Sequence, residues 1–138
     1  MNILVITSEV GYDGGGMSLS CTRICNILSE NHTVKIALSG HNPVVTVDRG
    51  YSPENTHGIR CEYKLKQDCL DFQDIDLLIG FGGKFNGYYS SLLSKRLGVP
   101  FILCLRGTDV NIAKWSLIDD WYLKEACSRA SKIVCLSH

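Results

Sequence analysis

The chain has 138 residues, of which 45% are apolar and 20% charged, a size and composition typical of one globular domain. Its 14 basic and 14 acidic residues give a formal net charge of zero, which disfavours nonspecific binding to nucleic acid. The seven cysteines form no C-x-x-C pair and no tight cluster with histidine, so we expect neither a metal site nor a disulfide scaffold. The sequence shows no signal-peptide pattern and no apolar run long enough for a membrane span, and we therefore expect a cytoplasmic protein.

The first part of the chain predicts a β-loop-α-β unit. Residues 2–7 (NILVIT) are rich in β-branched side chains and predict a strand, and a glycine-rich loop follows them. From Met17 the apolar residues recur at spacings of three and four, which predicts a helix. Residues 33–38 (TVKIAL) predict a second strand. Residues 39–57 are interpreted as a variable excursion in which only 44–47 looks extended.

The next part of the chain continues the alternation of strands and helices. Residues 59–65 predict a third strand, and residues 75–81 (IDLLIGF) a strand buried on both faces. A turn of helix is expected between them at Cys69 to Phe72. A helix follows the buried strand and is predicted to stop at Gly98, two residues before a proline. Five apolar residues mark this helix: Tyr88, Tyr89, Leu92, Leu93 and Leu97.

Two further strands and one helix complete the pattern. Residues 101–105 and 133–136 predict strands, and a Ser116-x-x-Asp119 capping box predicts a helix that runs to about Ala130. Strands that alternate with helices in this way predict right-handed crossovers between parallel strands. We therefore expect an α/β fold: a doubly wound, mostly parallel Rossmann-like sheet with helices on both faces.

A run of glycines after the first strand is the first candidate site. Gly14, Gly15 and Gly16 directly precede the first predicted helix, so its free N–H groups would face the crevice without Cβ atoms in the way. This pattern indicates a site for an anion or a sugar phosphate. The alternative is a flexible loop that only connects strand and helix.

The loop after residues 101–105 is the second candidate site. It holds Arg106, Gly107, Thr108 and Asp109, and Arg106 could bind a phosphate bidentately or position a sugar hydroxyl. The alternative is a structural pair between Arg106 and Asp109 that stiffens the loop.

Weaker candidates follow the buried strand. They are Gly82, Gly83 and Lys84, although Lys84 also fits an ordinary solvated lysine. Trp115 is expected in a loop, where it could face a ligand.

Several familiar sites are excluded by the spacing of residues. The glycine loop lacks the third glycine of a dinucleotide-binding motif because Leu19 occupies that position, and no Gly-Lys-Ser/Thr occurs for a P-loop. The second strand also ends without the carboxylate that would hold a ribose, which argues against a nicotinamide-dependent enzyme. His32, His41 and His57 have no partner at metal-ligand or catalytic-triad spacing, and His138 is the last residue.

Taken together, six segments resemble a known family. The chain resembles the amino-terminal domain of GT-B-fold glycosyltransferases of the family 4, retaining type, over nearly its whole length. The segments are NILVIT, GYDGGG, NHTVKI, DLLIGFGG, LGVPFILCLRGTDV and ASKIVCLS.

The resemblance implies a function for the chain as part of a longer enzyme. It implies transfer of a hexose-type sugar from a nucleotide-sugar donor to a glycan or lipid-linked acceptor, as in polysaccharide biosynthesis, with no cofactor and no metal. Residues 1–138 would form the acceptor-side domain, the donor-binding domain would be absent, and the chain alone would be inactive. Peripheral contact of the longer protein with the inner face of a membrane is compatible with such acceptors.

The resemblance also implies roles for particular residues. The three glycines would approach the donor diphosphate or the acceptor. Arg106 stands where many members carry a histidine, and because a guanidinium does not deprotonate near neutral pH, it is a binding group rather than a proton carrier. Ser137, in the VCLS segment, is a weaker candidate.

Two other functions fit the same residues. One is a stand-alone Rossmann-like or flavodoxin-like module that binds a phosphorylated small molecule without catalysis. The other is an interaction protein in which a strand edge or helix face mediates oligomerisation.

Overall fold

Seven strands and four helices occur in the part of the chain that the computed structural model describes, residues 1–11, 15–38, 43–47, 59–63 and 74–135. The elements are β1 (Asn2–Thr7), α1 (Gly16–Ser29), β2 (Thr33–Leu38), β3 (Pro43–Val47), β4 (Ile59–Tyr63), β5 (Leu77–Phe81), α2 (Phe85–Leu97), β6 (Phe101–Leu105), α3 (Gly107–Ala113), α4 (Leu117–Arg129) and β7 (Lys132–Cys135).

The strands form one sheet in the order β4-β3-β2-β1-β5-β6-β7. The five strands from β2 to β7 in this order are parallel, whereas β3 pairs antiparallel with β2 and β4 antiparallel with β3. The prediction of a doubly wound, mostly parallel sheet is confirmed. The strand order reverses between β1 and β5. The chain places β2 next to β1 on one side and later places β5, β6 and β7 on the other side.

Helices cover both faces of the sheet, and alternate residues of β1 supply the two cores. Ile3 and Val5 pack with Cys21 and Cys25 of α1. On the opposite face, Leu4 and Ile6 belong to the cluster that includes residues of α2, α4 and β6. The alternation follows from the two-residue period of a strand. The buried members of the second cluster are Leu4, Ile6, Ile75, Leu78, Leu93, Phe101, Leu103, Leu105 and Ala126.

Two predicted helix boundaries are confirmed. Gly98 adopts a left-handed conformation with φ of 69° and ends α2, and its N–H donates to the carbonyl of Ser94. Ser116 is the N-cap residue of α4, and its side-chain oxygen accepts a hydrogen bond of 3.3 Å from the N–H of Asp119.

Other predicted boundaries are corrected. The sequence predicts a loop at residues 106–109, but α3 begins at Gly107 and runs for seven residues, too few to produce a recognisable helical period. The buried strand begins at Leu77 rather than residue 75, and the last strand begins at Lys132. The expected helical turn at residues 69–72 lies outside the described residues. Among the described helices, none has the length and apolar character needed to cross a bilayer.

Candidate functional site

The carboxyl ends of β1, β5 and β6 meet at one edge of the sheet, where the strand order reverses. Open α/β sheets bind ligands in the crevice outside such an edge. Three segments lead away from it: the glycine loop before α1, the Gly82–Gly83 turn before α2, and Arg106 before α3. The candidate loops predicted from the sequence are therefore neighbours in space.

The N-terminus of α1 is open to this edge. Gly15 is the N-cap residue, no side chain caps the helix, and its first turn contains no acidic residue. Gly15 and Gly16 are both exposed. Because the first N–H groups of a helix have no partner within it, they carry a partial positive charge toward the crevice. Gly14 lies outside the described residues.

Arg106 lies beside this helix terminus. A Cβ built on Gly16 would be 3.5 Å from Nη1 of Arg106. The half-buried guanidinium and the N-terminus of α1 thus place two positive groups side by side. An anion bound between them would be stabilised by both.

Asp109 organises the backbone around Arg106 rather than neutralising its side chain. The Asp109 carboxylate accepts a hydrogen bond of 3.1 Å from the backbone N–H of Arg106. The ion pairs found among the described residues do not include the Arg106 guanidinium. The alternative interpretation of a structural Arg106–Asp109 pair is therefore met by a helix-capping contact to the Arg106 backbone. A role of the guanidinium in ligand binding stays a prediction.

Gly107 and Thr108 lie in the first turn of α3 and are exposed. A Cβ built on Gly107 meets no atom within 4 Å. Packing therefore does not require glycine at position 107.

The weaker candidates after β5 have packing roles in the structure. Gly82 has a φ of +100°, and a Cβ there would lie 3.9 Å from Oδ1 of Asp109. A Cβ on Gly83 would come within 2.5 Å of a methyl carbon of Leu123, so this glycine allows α4 to approach the sheet. Lys84 forms an ion pair of 2.8 Å with Asp119, in the first turn of α4. Their participation in ligand binding stays a prediction, and Ser137 lies outside the described residues.

The structure also reveals residues that sequence reasoning missed, at the start of the glycine loop. Gly11 has a φ of +128°. Its N–H donates to Oγ1 of Thr22 at 2.8 Å, and its carbonyl accepts from Oγ of Ser18 at 2.8 Å. The signal available in the sequence was a Ser and a Thr four residues apart on the helix that follows the loop. Their hydroxyls hold Gly11 against α1.

A cavity of about 220 Å³ adjoins Arg106 on the α1 side of the sheet. Its lining is mostly apolar and includes two arginines, Arg23 and Arg106, and the residues are Ser20, Arg23, Ile24, Phe81, Cys104, Leu105, Arg106 and Val134. Ligand pockets for drug-sized molecules usually measure about 300–1,000 Å³. This cavity would therefore hold one part of such a ligand.

Burial limits the reactivity of the thiols near this cavity. Burial raises the pKa of Cys104 to about 11, so the thiol stays protonated near neutral pH. Cys21 and Cys25 lie one helical turn apart with their sulfur atoms at 3.9 Å. Their hydrogen bond lowers the pKa of Cys21 and raises that of Cys25, and both side chains are buried. The residues around Arg106 are suited to binding rather than to covalent catalysis.

The histidines do not join the site in the described structure. His32 precedes β2 at the amino edge of the sheet, away from Arg106, while His41, His57 and His138 lie outside the described residues. Where side chains are described, we find no cluster of three or more His, Cys, Asp or Glu residues placed to hold a metal ion.

Comparison with known proteins gives one significant similarity. No protein-family model and no solved structure matches the chain. This chain is similar to a glycosyltransferase. The relative is an uncharacterized glycosyltransferase of Methanocaldococcus jannaschii, 32% identical over 75 residues, which are 54% of this chain. The match covers only 21% of the relative's length, about a fifth. The similarity supports a relation to glycosyltransferases over the 75 matched residues.

Proposed function

We propose that this chain is the acceptor-side domain of a retaining glycosyltransferase of the GT-B type. It would act with a donor-binding domain to transfer a sugar of hexose type from a nucleotide-sugar to a glycan or a lipid-linked acceptor. The observation that carries the proposal is the position of the Arg106 guanidinium beside the glycine N-terminus of α1, where the strand order reverses. The similarity to a glycosyltransferase supports the same class of reaction.

The chemistry of sugar transfer explains the use of such a site. The bond between the anomeric carbon and the diphosphate oxygen breaks, and the oxygen of an acceptor hydroxyl bonds to that carbon and releases its proton to water. Negative charge therefore builds up on the departing diphosphate. Positive groups held in place before the reaction stabilise this charge without reorganisation. Arg106 and the N–H groups at Gly16 and Met17 would bind the diphosphate, or a phosphate carried by the acceptor. The adjoining cavity would receive part of the acceptor.

A binding experiment on the 138-residue chain tests the site. We would follow the backbone amides by NMR while adding pyrophosphate and, separately, uridine diphosphate glucose. The proposal expects weak binding that shifts the amides of Gly15, Gly16 and Met17, and loss of these shifts in Arg106→Ala. Arg96→Ala is the matched control, because Arg96 is exposed in the last turn of α2, at the opposite edge of the sheet. Unchanged shifts in Arg106→Ala would overturn the site assignment.

A transfer assay tests the reaction itself. In a polypeptide that joins this domain to a donor-binding domain, Arg106→Ala should lower kcat/KM for sugar transfer, and Arg96→Ala should leave it unchanged. Tight binding of a nucleotide by the 138-residue chain alone would instead favour the stand-alone binding module, since the proposed enzyme holds its nucleotide mainly through the other domain.

A further inference from the structure

Five aromatic side chains gather near the starts of α2 and α4. They are Phe85, Tyr88 and Tyr89 of α2 and Trp121 and Tyr122 of α4. Phe85 stacks on Tyr89 with the ring centroids 5.9 Å apart. Trp121 packs on Tyr88 at a centroid distance of 5.0 Å. Tyr122 joins the two pairs, because its ring centroid lies 6.5 Å from that of Phe85 and 4.9 Å from that of Tyr88. We call these five residues the aromatic surface.

Two rings of the aromatic surface are open to solvent. Phe85 is 53% exposed and Trp121 is 48% exposed, and the three tyrosines are half-buried beneath them. Close packing of α2 against α4 does not depend on these two rings, because small buried residues make the approach. A Cβ built on Gly87 would lie only 3.2 Å from the Cβ of Ala126. Helix packing therefore does not explain why two large aromatic rings lie at the surface.

The aromatic surface begins close to the candidate anion site. A Cβ built on Gly82 would lie 3.9 Å from Oδ1 of Asp109, whose carboxylate bonds the backbone N–H of Arg106. Phe85 follows Gly82 by three residues, a length of chain that spans at most about 11 Å. A ligand of several units could therefore lie in the crevice with one end and on the aromatic surface with the other.

The charged side chains around the aromatic surface neutralise one another. Three ion pairs lie there: Lys84 with Asp119 at 2.8 Å, Lys124 with Asp120 at 2.6 Å, and Arg129 with Glu125. Arg129 also lies over the ring of Tyr88, 5.9 Å from its centroid. Nucleic acids and anionic lipids are bound through basic side chains that have no acidic partner. The paired charges favour an uncharged ligand instead.

An uncharged ligand with both hydroxyl groups and apolar C–H faces matches the aromatic surface. The face of an aromatic ring carries partial negative charge, and the C–H bonds on one face of a sugar ring carry partial positive charge, so the two stack. Among the described residues, no hydrogen bond uses the hydroxyls of the three tyrosines. These hydroxyls can therefore donate to, and accept from, the hydroxyls of a sugar.

We propose that the aromatic surface binds an uncharged glycan by stacking its sugar rings on Phe85 and Trp121. The choice of a glycan rests on the proposed function, whereas its lack of charge rests on the ion pairs around the surface. The sugar that accepts the transferred unit would lie in the crevice near Arg106, and the sugars that precede it would lie on the aromatic surface. Binding should therefore strengthen with the length of the glycan.

Tryptophan fluorescence tests the proposal on the full 138-residue chain. The chain has two tryptophans, and Trp115 is 89% exposed outside the aromatic surface. Trp115→Phe leaves Trp121 as the reporter. Cellohexaose, maltohexaose and hexa-N-acetylchitohexaose are the uncharged probes. At least one of them should shift the emission of Trp121 to shorter wavelength and protect it from quenching by iodide, and should bind more tightly than its monosaccharide. No response to any of the three would overturn the proposal.

Matched variants of Phe85 separate ring stacking from general apolar contact. Phe85→Leu keeps an apolar side chain and a good helix former but removes the ring, and we expect about threefold to tenfold weaker binding of the oligosaccharide. Phe85→Tyr keeps the ring and should keep the affinity. Ile27→Ala is the control, since Ile27 is 64% exposed on α1, which covers the other face of the sheet. Equal affinities in Phe85→Leu and Phe85→Tyr would contradict stacking on this ring.

Two further probes keep this inference distinct from the proposed function and from another occupant. A chain that binds pyrophosphate at Arg106 but none of the oligosaccharides would overturn the glycan surface and leave the proposed function standing. Oligosaccharide binding that Phe85→Leu weakens, in a chain that does not bind pyrophosphate, would support the surface while the Arg106 site fails. Proline-rich peptides also dock on aromatic grooves. Binding of decaproline without any oligosaccharide would assign the aromatic surface to a peptide and overturn the proposal.

Discussion

Arg106 and Gly16 are 90 residues apart in the chain, and a Cβ on Gly16 would lie 3.5 Å from the guanidinium Nη1 of Arg106. The guanidinium therefore lies in van der Waals range of the N-terminus of α1. This relationship joins the two candidate loops into one anion-binding site, because the partial charge of the helix and the full charge of the arginine act on the same space.

Substitution of Gly16 tests this contact. Gly16→Val places methyl groups where the guanidinium lies, and we expect it to displace Arg106 and weaken pyrophosphate binding. Loss of one charge-assisted hydrogen bond, about 1.5–3 kcal/mol, corresponds to roughly a tenfold or larger loss of affinity. Arg96→Ala is the control, because Arg96 is exposed in the last turn of α2, at the opposite edge of the sheet. Calorimetry measures the affinity for pyrophosphate. An equal affinity in Gly16→Val and the unmodified chain would contradict binding of the anion between Arg106 and the N-terminus of α1.

Gly87 is a packing glycine, and its replacement should cost stability. A Cβ there would lie 2.8 Å from the carbonyl oxygen of Gly82 and 2.8 Å from Cδ1 of Leu103. We expect Gly87→Ala to lower the free energy of unfolding by about 1–3 kcal/mol, as overpacking of a well-filled core does. Urea denaturation would measure this. Gly107→Ala, with open space around its Cβ, should be neutral or slightly stabilising, and a similar loss in both variants would contradict the packing argument.

Thr22 holds the start of the glycine loop through a buried hydroxyl. Thr22→Val keeps the shape of the side chain but leaves the N–H of Gly11 without its 2.8 Å partner. We expect a loss of about 1–3 kcal/mol in unfolding free energy, together with faster hydrogen exchange at Gly11. Ser20→Ala removes an exposed hydroxyl that donates to Gly16 and should change stability little. If Gly11 exchanges no faster in Thr22→Val, the loop is held by other contacts.

Cys104 should make stability depend on pH in the alkaline range. Burial raises the pKa of its thiol from an ordinary value of 9.0 to about 11 in the folded chain. The unfolded chain therefore releases the Cys104 proton at a lower pH than the folded chain does. The contribution of Cys104 to the free energy of unfolding is complete below pH 9.0 and is lost as the pH rises toward about 11. Cys104→Ala should reduce the slope of unfolding free energy against pH in this window. Cys25, whose pKa is also raised, should leave part of the slope in place. An unchanged slope in Cys104→Ala would show that other groups cause it.

The alternation of apolar runs and helical periods was sufficient to predict the Rossmann-like class. β1 and β6 have the predicted boundaries. Both are short apolar runs, which is typical of parallel strands that helices bury on both faces. Local signals also placed the end of α2 at Gly98 and the start of α4 at Ser116. The short helix α3 was missed, because its seven residues span less than two full turns of recurring pattern.

The chain direction among parallel strands also determined that the glycine loop and Arg106 would share one edge, since each crossover between β1, β5 and β6 returns the chain so that these strands end on the same side. Only the tertiary structure decided which partner each side chain takes. It directed the Arg106 guanidinium toward Gly16 while Asp109 bonded the backbone, used Gly83 and Gly87 to bring helices close to the sheet, and left Trp115 and Leu117 exposed. These outcomes depend on close packing between residues far apart in the chain, and the local spacing of residue types does not encode that geometry.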